Sequence, residues 1–326
     1  MLNGLSICSG IGGFELGFKL AMGSEYRTVC YVEIDPDCQR VLEAHMQDGT
    51  LDKAPIWDNL KTFDGERWRG RVDILHGGIP CQPFSIAGRR LGAADERDLW
   101  PDTLKLIRSV RPRIVLLENV VGLLHGKPGR SAYFGRILGD LAEAGYDARW
   151  EVLSAAEVGA SHKRERVFVV AHDASRRSAA HGEEDRFGST TAPCGSSGQL
   201  AHADRTGRGE QCGSVAGGQE QPAAEHDGGD MGNAKSGNAR ASLPAFPPAP
   251  NDAEGWRRVL DSRPDLAPAI DERLNPAFVE WLMGYPIGWT AAASRNARLR
   301  LLGNAIVPLC AAKVVDRMLS ETRRTP

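Results

Sequence analysis

The stretch L-S-I-C-S-G-I-G-G-F-E-L-G-F-K-L (5–20), followed by V-C-Y-V-E-I (29–34), decides how the rest of the chain reads. A short apolar run comes first, then Gly10, Gly12 and Gly13, then an amphipathic stretch, then a second apolar run. That order predicts strand, tight loop, helix and strand, the opening unit of a parallel α/β sheet. Glycines between a strand and a helix let the backbone turn sharply and approach a ligand at the helix N-terminus. Glu33 stands about 20 residues further on, at the end of the second run, where a carboxylate can accept hydrogen bonds from two ribose hydroxyls. The glycine spacing is not G-x-G-x-x-G, so an ordinary glycine turn beside a solvated acid stays open on these residues alone.

Outward from this unit the pattern repeats. V-D-I-L (72–75), I-V-L-L (114–117) and V-F-V-V-A (167–171) read as further buried strands. C-Q-R-V-L-E-A-H (38–45), D-T-L-K-L-I-R (102–108) and Y-F-G-R-I-L-G-D-L-A-E-A (133–144) read as the helices between them. The expected fold is α/β, a doubly wound and mostly parallel sheet covered on both faces. Composition then changes. Residues 172–255 hold 14 Gly and two aromatics, Phe187 and Phe246, and 172–270 carry ten basic against fourteen acidic residues. Such a segment buries little apolar surface and predicts a loop-rich small domain or a partly disordered insert. From P-P-A-P (247–250) onward patterning returns. N-P-A-F-V-E-W-L-M-G-Y-P-I-G-W-T (275–290) reads as helix and turn, and L-L-G-N-A-I-V-P-L-C-A-A-K-V-V-D-R-M-L (301–319) as a loop leading into an amphipathic helix.

The chain has 326 residues, 41% hydrophobic and 25% charged, with 40 Lys plus Arg against 42 Asp plus Glu. The balance excludes a polycation that coats nucleic acid by net charge, while a basic groove on one face stays open. No run approaches the ~18 apolar residues of a membrane span, and the start M-L-N-G-L-S-I-C predicts no secretory signal. The seven cysteines (8, 30, 38, 81, 194, 212 and 310) include no C-x-x-C pair. No disulfide framework and no metal site is expected, and a reducing cytoplasm is the expected location.

Three further segments carry chemistry. In G-G-I-P-C-Q-P-F-S (77–85), Cys81 lies between Pro80 and Gln82-Pro83, just after a strand, where α/β proteins place ligands. That position favours a nucleophile over a packed thiol such as Cys310. In I-V-L-L-E-N-V (114–120), Glu118 ends a run of four apolar residues, so poor solvation should raise its pKa and let it act as an acid near neutral pH. In S-H-K-R-E-R-V-F-V-V (161–170), Arg164 and Arg166 alternate at the start of a strand, which predicts both guanidiniums on one side, able to hold a phosphate or a carbonyl oxygen.

The series S-G-I-G-G-F, V-E-I-D-P, P-C-Q-P-F-S, E-N-V, R-E-R-V, M-G-Y-P and L-G-N-A-I-V-P, in that order, resembles the DNA cytosine-5 methyltransferases of bacterial and phage restriction-modification systems. The resemblance covers 1–171 and 273–326, and implies one catalytic, cofactor-binding domain from these two parts. Residues 172–272 would then form a target-recognition domain. Cys81 would attack C6 of cytosine, Glu118 would hydrogen-bond N3 and the exocyclic amine and protonate N3, and Arg166 would meet O2. Arg164 would steady the loop and the phosphate. Ser85, Arg97, Asn119 and Val120 would bind the substrate. The cofactor, S-adenosyl-L-methionine, would be held by Cys8, Gly10, Ile11, Gly12, Gly13, Glu33, Ile34, Asp58, Asn59, Pro80, Leu99, Asn304 and Ile306, with Asp58 on the adenine amine. Arg295, Arg298 and Arg300 would meet DNA phosphates. The chain departs from the family at Cys8, where Phe is common, and at Ser161 and His162, where Pro and Gln are usual. The implied partners are double-stranded DNA and a cognate restriction endonuclease acting on the same site, with the enzyme a monomer that meets no membrane. Two other readings remain at this point: the same chemistry on tRNA, and a nucleic-acid-binding protein without catalysis.

Overall fold

The computed structural model describes residues 1–80, 98–124, 130–175, 243 and 245–322. Cys81, Ser85 and Arg97 lie outside the described residues, as does the polar middle from 176 to 242. The first part runs β1 (Leu2–Ile7), α1 (Gly13–Met22), β2 (Tyr26–Val32), α2 (Pro36–Gln47), β3 (Ile56–Trp57), β4 (Ile74–Gly78), α3 (Trp100–Val110), β5 (Ile114–Val120), α4 (Arg130–Glu143), β6 (Tyr146–Leu153) and β7 (Arg166–Asp173). Later come α5 (Ala253–Ser262), a short hairpin of β8 (Ala269–Ile270) and β9 (Arg273–Leu274), α6 (Pro276–Leu282), α7 (Arg295–Asn304) and α8 (Pro308–Thr322). Residues 245–272 belong to the same compact unit as the sheet.

The seven strands lie in the order β3-β2-β1-β4-β5-β7-β6. Every neighbouring pair from β3 to β5 is parallel, while β7 runs antiparallel to both β5 and β6. The sheet is therefore mostly parallel, as its sequence predicts, with β7 as the reversed strand. The apolar runs locate five strands. They miss the two-residue β3 at one edge and β6 at the other, Y-D-A-R-W-E-V-L, whose Tyr146 and Leu153 are buried while Trp150 and Val152 are exposed. A half-solvated edge strand mixes charge with apolar residues and so leaves no continuous apolar run.

Each face of the sheet has its own core. Phe14, Phe18, Leu42, Leu302 and Val314 pack on one side, and Leu5, Val32, Trp100, Ile107 and Leu141 on the other. The C-terminal helix returns to the first unit and packs on α1. A Cβ at Gly17 would stand 2.5 Å from the Ala311 Cβ and 2.8 Å from the Pro308 carbonyl oxygen, so the two helices meet almost backbone to backbone. This contact brings α7 and the loop after it over the carboxyl ends of the strands.

Beneath the glycine loop lies a polar group that the chemistry above does not use. Glu15 is fully buried in the first turn of α1, and neither of its oxygens makes a hydrogen bond among the described residues. His76 on β4 is also fully buried; its Nε2 meets the Tyr26 hydroxyl at 2.6 Å. Burial lifts Glu15 to about 7 and drops His76 to about 3. Folded Glu15 therefore keeps its proton where the unfolded chain has lost it, and its contribution to stability falls as pH rises from the usual carboxylate range to about 7. His76 acts in the opposite sense, since folded His76 stays neutral while the unfolded imidazole takes up a proton, and stability falls as pH drops towards about 3. Relative to the parent, Glu15→Gln should gain about 2–3 kcal/mol in unfolding free energy between about pH 5 and about pH 8. Urea unfolding at the two pH values measures this, and a constant difference would show that Glu15 does not titrate in that window.

Candidate active site

The order β2-β1-β4-β5 places the chain reversal of the winding between β1 and β4. Open α/β sheets hold ligands there, outside the carboxyl ends of the strands. A cleft of about 610 Å³ occupies the position, within the size range of small-molecule sites. Its walls come from the loops after β1, β2, β4 and β5 and from the end of α7.

The loop after β1 supplies Cys8, Gly10 and Ile11. Cys8 and Gly10 both hold left-handed backbone, φ 46° and 57°, which turns the chain back on itself. Burial, with Glu33 nearby, pushes the Cys8 thiol up to about 12, so it stays protonated and unreactive. Glu33 follows β2 directly and is 7% exposed. Its Oε2 accepts from the Gly10 N–H at 2.7 Å and its Oε1 from the Asp35 N–H at 2.8 Å. Burial raises its pKa, and these backbone donors oppose the rise. The carboxylate is thus held rigidly at the cleft wall, with Ile34 beside it.

At the other end stand Glu118, Asn119 and Val120 of β5 and Arg166 of β7. The antiparallel register pairs Val120 with Arg166 and Glu118 with Phe168, which sets Arg166 diagonal to Glu118 on one face of the sheet. Arg166 Nε lies 2.8 Å from Glu118 Oε1, with both side chains largely buried. Burial raises the Glu118 pKa, while Arg166 and then Arg164 pull it down. The neighbouring strand gives way to this carboxyl: Gly78 pairs with Glu118, and a Cβ there would stand 3.0 Å from Oε2. Asn119 Nδ2 donates to the Ile79 carbonyl at 3.1 Å and so fixes the chain two residues before Cys81. Pro80 and Leu99 complete this side of the cleft.

Arg164 corrects the expectation of two guanidiniums on one side. It precedes β7, with φ 23°, so strand alternation does not reach it. Its Nη2 donates to the carbonyls of Gly303 and Ala305 at 2.9 and 2.7 Å, and it thereby holds the end of α7 around Asn304, which lines the cleft. The arginines expected to meet phosphate also have partners within the chain. Arg298 Nη2 pairs with fully buried Glu280 at 2.9 Å, Arg295 donates to the Leu274 carbonyl at 2.6 Å, and Arg300 pairs with Asp35 and Asp37.

Other expected cofactor residues fall just outside the cleft. Gly12 caps α1 at φ 84° and faces Leu51, 2.9 Å from where its Cβ would be. Gly13 leaves room for Tyr285 and Ile306. Ile306 itself packs there, and its carbonyl accepts from the Tyr285 hydroxyl at 2.9 Å. Asp58 lines a separate shallow depression beside Gln39 and Glu43, while its neighbour Asn59 lines the main cleft. Two residues that sequence reasoning passed over matter here. Tyr285 holds the loop after α7, and Trp289 donates from Nε1 to the Ile11 carbonyl at 2.7 Å while stacking on His45. The signal was present in M-G-Y-P-I-G-W: a buried indole or phenol in a glycine- and proline-rich turn needs a hydrogen-bond acceptor.

The sheet with one reversed strand and its cleft define an α/β fold of the methyltransferase type. Two solved structures share it over 99% of both chains. They are the S. pombe Dnmt2 methyltransferase, with TM-score 0.56 and 15% identity, and the Entamoeba histolytica methyltransferase EhMeth, with TM-score 0.57 and 13% identity. Residues 2–205 match the model of the C-5 cytosine-specific DNA methylases, and the chain belongs to that family. It is 40% identical over 167 residues to the Type II methyltransferase M.NgoMIV of Neisseria gonorrhoeae, a match covering 51% of this chain and 50% of that protein. Along 96% of its length it is 29% identical to the Type II methyltransferase M.NaeI of Lentzea aerocolonigenes, covering 74% of that protein. The match thus spans about half the length of the first relative and three quarters of the second.

Arg166 is the stronger of the two charges that hold Glu118 down. In Arg166→Gln the carboxyl should titrate at higher pH than in the parent. The carboxyl band of Glu118 in infrared difference spectra, assigned with Glu118→Gln, measures this, and an unmoved titration would show that the pair does not set the proton affinity.

Proposed function

We propose that this chain transfers a methyl group from S-adenosyl-L-methionine to C5 of a flipped-out cytosine in double-stranded DNA, through a covalent bond between Cys81 and C6. The observation that carries the reading is that one cleft holds both the rigid carboxylate of Glu33 and the Glu118–Arg166 pair. The cleft fits the cofactor. A buried carboxylate suits ribose hydroxyls, Gly10 has nothing within 4 Å of where a Cβ would be, and the apolar walls suit an adenine ring. When bound, S-adenosyl-L-methionine supplies an electrophilic methyl on a sulfonium centre.

The protein's own groups answer the difficulty of the substrate. C5 of a neutral aromatic pyrimidine is a weak nucleophile. Cys81 adds as thiolate to C6 while Glu118 gives its proton to N3, which makes C5 electron-rich. Burial raises the pKa of this carboxyl and so favours its protonated form, against the pull of Arg166. Arg166 is the donor for the cytosine O2 and, through its ion pair, keeps Glu118 from becoming too weak an acid. Loss of the C5 proton then lets Cys81 leave. The base must quit the duplex stack to reach the cleft, at a cost of a few kcal/mol. Residues 172–272 are assigned the reading of the DNA sequence. The Type II relatives support a restriction-modification setting. A cytoplasmic location and a cognate endonuclease acting on the same site are part of the same proposal.

Tritiated-methyl incorporation into duplex DNA tests the assignment. The parent should label duplex DNA and leave tRNA unlabelled, whereas Cys81→Ala should still bind the cofactor and transfer nothing. Label in tRNA alone would overturn the DNA assignment, and full incorporation by Cys81→Ala would overturn the chemistry. Glu118→Gln, which keeps a hydrogen bond and loses the proton, should slow transfer on the order of 10²–10⁴-fold. An unchanged rate would mean that the proton comes from another group.

A further inference from the structure

The two walls of the cleft are tied together by an ion-pair cluster that the reaction does not use. Arg300 on α7 reaches the start of α2. Its Nη1 meets Asp35 Oδ2, and its Nη2 lies 2.6 Å from Asp37 Oδ2 and 3.3 Å from Asp35 Oδ1. Both attachment points matter to the cleft. Asp35 supplies one of the two N–H groups that hold Glu33, at 2.8 Å, and its own Oδ1 caps α2 by accepting from the Asp37 N–H at 2.9 Å. Arg300 stands one helical turn before Asn304, and Asp35, Arg300 and Asn304 all line the cleft. The guanidinium holds Asp35 below the usual carboxylate range, as a direct pair should. Among the described residues no other ion pair joins α7 to the β2–α2 loop.

We infer that Arg300 is a positioning residue for the cofactor. It clasps the wall that carries Asn304 to the wall that carries Glu33, so that both meet one ligand at once. The inference rests on the proposed function. Without the clasp, the two walls hold their spacing only indirectly, through packing and through hydrogen bonds such as Trp289 to the Ile11 carbonyl, and the cofactor must supply more of the ordering when it binds. Because Arg300 is 47% and Asp35 24% exposed at the side chain, salt should weaken the clasp. S-adenosylhomocysteine, the demethylated product, is a zwitterion of no net charge. Its lack of net charge limits the long-range effect of salt on its approach, and the difference in salt dependence between the parent and Arg300→Gln reports on the clasp.

Calorimetry of S-adenosylhomocysteine with the full chain tests this. The parent should bind less tightly as salt rises. Arg300→Gln should bind about three- to tenfold less tightly at low salt and show little further loss at high salt. Arg300→Lys should recover part of the affinity, and Asp37→Asn, which removes one of the two anchors, should lose less than Arg300→Gln. In steady-state assays the loss should fall on the cofactor KM rather than on kcat, and the melting temperature without ligand should match the parent's. Parental affinity and parental salt dependence in Arg300→Gln and Asp37→Asn would overturn the clasp while leaving the proposed function standing. A parent chain that does not bind S-adenosylhomocysteine would overturn both.

Discussion

The pairing of Glu118 with Arg166 is the interaction on which the site depends, and the reversal of β7 creates it. A carboxyl at the end of a buried strand carries a large desolvation cost when charged. A guanidinium beside it lowers that cost, so burial and the ion pair act on the carboxyl's proton affinity in opposite directions. Because β7 runs antiparallel to β5, its first residue falls beside the last residues of β5, at the carboxyl ends of the parallel strands. A parallel β7 would begin at the opposite edge of the sheet and place Arg166 far from the cleft. The neighbouring Gly78 is the complementary concession, a strand residue without a side chain where the carboxyl needs room.

The remaining walls are held mostly through backbone carbonyls and amides. Trp289 holds Ile11, Tyr285 holds Ile306, Arg164 holds Gly303 and Ala305, and Glu33 is itself held by Gly10 and Asp35. These partners lie up to 278 residues apart. The segment from Met283 to Ile306 therefore acts as a brace from the C-terminal part of the chain to the first loop. The helix contact at Gly17 and Ala311 makes that brace possible by fixing α8, and with it the loop before it, against α1.

Much of this was legible in the sequence because parallel strands buried on both faces announce themselves as apolar runs, and because loops at their carboxyl ends carry the chemistry. Glu33, Glu118, Arg166 and Asn304 were found by that logic together with the family resemblance. What could not be read depends on direction and on distant partners. Arg164 lies before the first residue of β7, so the alternation that holds within the strand does not reach it. Arg295, Arg298 and Arg300 look like a basic face in one dimension, but Glu280, the Leu274 carbonyl and the Asp35–Asp37 pair are invisible to local pattern. Gly12 and Gly13 belong with packing against Leu51 and Ile306, although glycines in such a loop suggest ligand approach. The half-solvated β6 lacked an apolar run altogether.

The proposed reaction requires a transient bond between Cys81 and a cytosine drawn out of the duplex. Duplex DNA of mixed sequence in which 5-fluorocytosine replaces cytosine captures that bond, because fluorine at C5 cannot leave as a proton does and the thiol stays attached. With S-adenosyl-L-methionine present, the chain should form a complex that survives denaturant, and mass spectrometry of the digested complex should find the modified base on the peptide containing Cys81. Absence of any denaturant-resistant complex, or attachment through a different residue, would contradict the account.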